Sequence, residues 1–211
     1  MNLAPFFEKQ LQLDNFINKT KGLEGHDLLQ NKILALQVEL GELANEWRGF
    51  KYWSDNREPR TVAERGTCKM CAGTGSYPIG ESTAENCPMC QGEGEQTYNP
   101  LLEEYVDCLH FVLSIGIETR HEPGIVEPLQ AKTGGVIQQF LSLNKHVGSM
   151  SFAWSVDEAG NFTTSNFYDR YDQSLKLLLG LGEMFEFTWE QIEQAYHQKW
   201  EENIRRQQTG Y

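Results

Sequence analysis

The 211-residue chain has no run of eighteen apolar residues, which excludes a membrane-spanning helix of ordinary length. Positive charge is also scarce. Lys and Arg number 18 against 30 Asp and Glu, a formal net charge of −12. That balance argues against a general nucleic-acid binder, which needs a basic face to meet phosphate. An acidic surface serves solubility, and a clustered subset of it can hold divalent cations. The opening residues MNLAPFFEKQLQLDNF lack a basic segment followed by an apolar stretch and a small-residue cleavage site, so a cytoplasmic location is expected. Cysteine is rare and uneven: four of the five lie between Gly66 and Gln96.

Those four form two copies of C-x-x-C-x-G-x-G, CKMCAGTG (Cys68, Cys71) and CPMCQGEG (Cys87, Cys90). Two residues between thiols suit a knuckle that presents both sulfurs to one tetrahedral ion, and glycine allows the positive φ such a turn needs. In a reducing compartment the pattern reads as one Zn²⁺ site, with a redox pair as the alternative. Four protein ligands leave no open position, so such a zinc is structural. The repeat resembles the cysteine-rich zinc module of J-domain co-chaperones, two copies here against four there. Cys108 falls in an apolar helical pattern and reads as a small buried hydrophobe.

The flanks read as helices. Residues 28–50 carry Ile33, Leu36, Leu40, Leu43 and Trp47 on one stripe, with Glu39, Glu42 and Glu46 on another face. Residues 99–118 open with Pro100 and carry Leu102, Tyr105, Val106, Leu109, Val112 and Leu113, with Glu104 and Asp107 three apart and Glu103 beside them. Three further segments, 128–148, 166–185 and 188–207, scan the same way, the last with Thr188 and Gln191 in capping-box positions. Around Ala159-Gly160-Asn161 a loop or small ribbon is expected. The expected class is all-α, a bundle of five or six helices.

E-x-x-E on one helix and E-x-x-D on the next set four carboxylates where facing helices can share cations, because i, i+3 residues project from one side. A solvated acidic surface is the competing reading. In sequence and order these segments resemble the dimeric, all-α dUTPases of bacteria and phages, within the MazG-like NTP pyrophosphohydrolases. The carriers are KILALQVELGELANEWRGFKYWSDN, LLEEYVDCLHFVLSIGIE and the tail KWEENIRRQQTGY. The resemblance covers residues 1–57 and 99–211. With 61 residues between Glu42 and Glu104, the gap is long for that family, and removing 61–98 restores an ordinary connection. The chain is thus read as a catalytic bundle, 1–60 with 99–211, carrying an inserted zinc module, 61–98.

The resemblance implies hydrolysis of dUTP, and of dUDP, to dUMP with two or three Mg²⁺ on Glu39, Glu42, Glu104 and Asp107; of these Glu39 is our choice for the base. It implies phosphate and sugar contacts from Lys199, Asn203, Arg206 and Tyr211. For uracil it implies Gln10 as amide reader, with Lys51 and Trp53 beside Phe50; Trp53 fits a stacking platform or the core equally. A homodimer without a membrane or general nucleic-acid partner follows. The alternatives are a pyrophosphohydrolase for dCTP or a modified pyrimidine, and a catalytically inactive zinc-dependent interaction protein.

Overall fold

A computed structural model describes residues 2–68, 70–78, 84–88, 90–121, 131–153, 155–156, 162–163 and 166–210. Six helices are seen: α1 (Ala4–Lys21), α2 (Leu29–Trp47), α3 (Pro100–Glu118), α4 (Val136–Ala153), α5 (Phe167–Met184) and α6 (Trp189–Gln208). The class is all-α, as the sequence predicts. Short strands β1 (Ala63–Thr67), β2 (Ser76–Pro78), β3 (Ala84–Asn86) and β4 (Glu95–Tyr98) fall between α2 and α3, and β5 (Ser155–Val156) pairs with β6 (Phe162–Thr163). The last pair is the expected small ribbon, although its 159–161 turn lies outside the described residues.

Local signals set the helix ends. Asn99 caps α3, its side chain accepting from the Leu102 amide at 3.1 Å, and Pro100 follows where a missing N–H costs nothing. The capping box of α6 forms in full, with Gln191 N to Thr188 Oγ1 at 3.2 Å and Thr188 N to Gln191 Oε1 at 2.9 Å. The fourth helix starts later than the pattern from residue 128 predicts. Residues 131–135 are irregular, because Gly134 and Gly135 break the turn. Buried Gln139 then ties that stretch down, accepting from Thr133 N at 2.9 Å and donating to Ala131 O at 2.6 Å.

One core holds the bundle together. Ile33, Leu36, Leu40 and Leu43 of α2 share it with Leu101, Tyr105, Cys108 and Leu109 of α3 and with Leu175, Leu178 and Tyr196 from α5 and α6. Cys108 is buried there, as expected of a small apolar residue. Packing α2 along α3 brings the E-x-x-E and E-x-x-D faces to the margin of the same seam.

The four thiols form a separate small core. Two hydrogen bonds cross-link the repeats, Cys68 N to Gly94 O and Cys87 N to Gly75 O, both 2.8 Å. The same positions take positive φ in each repeat: Ala72 and Gln91, Gly73 and Gly92, Gly75 and Gly94. A Cβ on Gly75 would sit 2.2 Å from Gly92 O, and one on Gly94 2.5 Å from Gly73 O, so no other residue fits. At the root of the module, β1 pairs antiparallel with β4, Ala63 opposite Tyr98. The two ends of the segment from Ala63 to Tyr98 are therefore neighbours.

Candidate active site and metal centres

Glu39 and Glu42 of α2 and Glu104 of α3 each offer a carboxylate oxygen within 4.8 Å of the others. Burial, then the charges of Asp107 and Glu42, push Glu39 up to about 7 against the pull of Lys199. Burial, then Asp107, Glu39 and Glu42, push Glu104 to about 7 as well. Acids held this close repel one another unless a proton or a cation intervenes. Oxygen donors in this number suit a hard divalent ion.

Asp107 is close enough to perturb both glutamates, but its own carboxylate is occupied: Lys199 of α6 donates to Asp107 Oδ2 at 2.6 Å and to Glu103 Oε1 at 3.1 Å. The structure thus gathers three of the four expected acids and pairs the fourth with a lysine. Burial raises the Asp107 carboxyl, while Lys199 opposes the rise. Burial would lower the Lys199 ammonium, but Asp107 and Glu103 outweigh it and hold it above the usual lysine range. For Glu103 burial is likewise outweighed, here by Lys199 and Arg65, so its carboxyl lies below the usual range.

Asn203 and Arg206 follow Lys199 at i+4 and i+7 along α6, both half-buried, and Arg206 donates to Glu202 at 2.7 Å. Tyr211 lies outside the described residues.

The base-reading candidates divide. Trp53 is 65% exposed, so it is not core; its ring stands edge-on to Phe50 (5.8 Å) and Tyr52 (5.0 Å). Lys51 holds its ammonium 5.7 Å from the Phe50 ring centre. Gln10 is 3% exposed and faces inward. Its Oε1 accepts from Tyr196 at 2.9 Å and lies 2.6 Å from His110 Nδ1, and its amide donates to Asp14 at 2.7 Å. As folded, Gln10 meets an incoming base only by giving up an internal bond. His110 stacks on Tyr196 at 4.1 Å, and burial brings its pKa down to about 3, so the ring is neutral. This His110–Gln10–Tyr196–Asp14 network, extended by Lys32 to Glu118, has no counterpart in the sequence reading. The apolar surroundings of His110 in α3 were the one available signal.

The four thiols lie within 4.8 Å of one another, with Sγ–Sγ distances of 3.8 Å (Cys68–Cys87) and 3.6 Å (Cys71–Cys90). A tetrahedral ion with about 2.3 Å bonds to sulfur separates its ligands by about 3.8 Å, so the cage has the right size for one. Burial opposes ionisation of Cys71, but the Cys90 thiol and the amides of Gly75 and Gly73 outweigh it and bring the pKa to about 6. Among the described residues no disulfide is formed.

The sequence profile of the dUTPase family matches residues 2–64 and 91–211, passing over 65–90. The chain belongs to the dUTPase family. It is an enzyme that hydrolyses dUTP, a dUTP diphosphatase. No curated protein and no solved structure matches it. Among the described residues no helix is long and apolar enough to cross a membrane.

Proposed function

We propose that the chain hydrolyses dUTP, and dUDP, to dUMP with Mg²⁺ held by Glu39, Glu42, Glu104 and Asp107. The convergence of three acids with two pKa values raised to about 7 is the observation that carries this reading. Held there, divalent cations would neutralise phosphate charge and lower the pKa of a bound water. Glu39 is the group we assign to take the water proton. Water oxygen then bonds to the β-phosphorus while the bond from that phosphorus to the α-bridging oxygen breaks, leaving dUMP. The β-phosphorus is common to dUTP and dUDP.

Lys199, Asn203, Arg206 and Tyr211 are assigned to phosphate and sugar. Lys199 then exchanges Asp107 for a phosphate oxygen and keeps Glu103 as its anchor. Trp53 offers the exposed stacking face for uracil with Lys51 beside it, and Gln10 contributes where the base replaces Asp14 at its amide.

Cys68, Cys71, Cys87 and Cys90 are assigned one structural Zn²⁺. The segment 61–98 is too small to bury an apolar core, so the ion supplies its folding free energy. Leu34 with Val38 on α2 and Ile137 with Leu141 on α4 are exposed at i, i+4 spacing, apolar stripes that favour a homodimer. A panel of deoxynucleotides with Mg²⁺, read for pyrophosphate release, tests the activity and its base preference. Turnover of dUTP no faster than of dCTP and dTTP removes the uracil assignment.

A further inference from the structure

One side chain joins the cysteine module to the acid cluster. Arg65 lies in β1, within the 65–90 segment that the family profile passes over. It is the extra residue of a bulge, since Glu64 pairs with Thr97 and Gly66 with Gln96. Bulges bend a strand and re-aim the side chain they carry. Here the guanidinium lies 4.4 Å from the Tyr98 ring on β4, which holds it by a cation–π contact. From that seat Arg65 pairs with Glu103 in the first turn of α3, and its Nη1 lies 3.9 Å from Glu202 Oε2 on α6.

Each of those acids also holds a second cation. Glu103 takes Lys199 at 3.1 Å and Glu202 takes Arg206 at 2.7 Å. Lys199 and Arg206 are the two cations assigned to phosphate. Arg65 is therefore the partner common to both acids that orient them. Without it, Glu103 and Glu202 would face an incoming polyanion less compensated, and the two cations they hold would lose their common tie.

We propose that Arg65 is a positioning residue for the substrate's polyphosphate: by bridging Glu103 and Glu202 it fixes Lys199 and Arg206 and offsets the two acids beside them. The added module thereby shapes the phosphate end of the active site. The inference rests on the phosphate assignment of Lys199 and Arg206 above. Arg65 touches none of the three gathered acids, so its effect falls on substrate binding.

The test is steady-state kinetics on dUTP at saturating Mg²⁺ for the full chain carrying Arg65→Gln or Arg65→Lys, with zinc content and thermal melting as controls. Arg65→Gln should raise KM about tenfold, the scale of one charge-assisted contact, with kcat within about twofold. Arg65→Lys should recover most of that loss at unchanged zinc content. Wild-type KM with a lowered Tm in Arg65→Gln overturns the proposal, as does an Arg65→Lys variant that binds no better than Arg65→Gln. Calorimetry with inorganic triphosphate and Mg²⁺ separates the inference from the substrate assignment. If the wild type ignores dUTP, weakened triphosphate binding in Arg65→Gln sustains the positioning role, and unchanged binding rejects it.

Discussion

Four thiols and four acids make two candidate ligand sets with the same grammar, a pair spaced i, i+3 repeated once. Cys68 and Cys71 meet Cys87 and Cys90, while Glu39 and Glu42 meet Glu104 and leave Asp107, one turn on, paired with Lys199. The thiols converge completely and are buried, because each pair sits on a glycine-bearing knuckle and two backbone bonds lock the knuckles together. The acids converge only as far as α2 packs on α3, and the fourth is held by a lysine from α6. Local backbone geometry thus completes one site, and tertiary packing leaves the other charged, half-exposed and incomplete. The first arrangement suits an ion that stays. The second suits cations that arrive with a substrate.

The strongest break of this contrast is at Glu39. Glu39→Gln should lower Mg²⁺-dependent pyrophosphate release roughly a thousandfold, as expected when a group acting at the reacting centre is lost. Asp107→Asn should do the same. Neither should unfold the bundle: Glu39→Gln relieves repulsion among the acids, and Asp107→Asn leaves Lys199 its bond to Glu103. Near-normal turnover in either variant would show that the acids are surface. Zinc content should be unchanged, which separates the two ligand sets.

A smaller effect tests the base. A pocket fitted to uracil clashes with a 5-methyl group, so kcat/KM for dTTP should fall at least about tenfold below that for dUTP. Trp53→Ala should weaken dUTP binding while leaving the melt unchanged, since the ring is exposed. A destabilised Trp53→Ala with normal KM would give the ring a packing role instead.

Next in size is removal of the module. Replacing 61–98 with a short Gly/Ser linker should give a soluble protein that still cleaves dUTP, because Ala63 and Tyr98 are already paired and the core lies elsewhere. Zinc should fall from about one per chain to none. Arg65 leaves with the module, so KM should rise by about the tenfold expected of Arg65→Gln alone. A collapse of kcat in the deletion would mean that the module also shapes the acid cluster.

How far the sequence revealed all this follows the same divide. The two knuckles, the helix start at Pro100, the cap at Thr188 and the i, i+3 acids are local patterns, and local patterns are written in neighbouring letters. The Lys199–Asp107 pair depends on how α6 crosses α3, which no window of residues contains. Gln10 carries the same ambiguity: an amide on an amphipathic helix can face a ligand or a buried histidine, and only the packing of α1 on α3 and α6 turns it inward. Arg65 was hidden more deeply, because its direction follows from a bulge in a ribbon register.

The subtlest effect is the pH dependence of stability without Mg²⁺. Glu39 and Glu104 titrate near 7 in the folded chain against 4.5 in an open one. Folded protein therefore keeps protons that unfolded protein releases, and stability rises wherever the folded state binds more protons and pH falls. The contribution is fully present below about 4.5 and is lost as pH climbs through about 7. His110 works the other way. Its folded pKa near 3 makes the unfolded chain the stronger proton binder below the usual histidine value, so its contribution is lost on acidification. The two trends overlap in a melt of the wild type and separate in a difference curve. Glu39→Gln and wild type, both freed of Mg²⁺ with zinc left in place, should melt together near about pH 5. By about pH 8 the variant should melt a few degrees higher, because its amide carries no charge to repel. Adding Mg²⁺ at the upper pH should reverse the order, since only the intact cluster gains a cation. Parallel curves across that window would mean that Glu39 is an ordinary solvated acid.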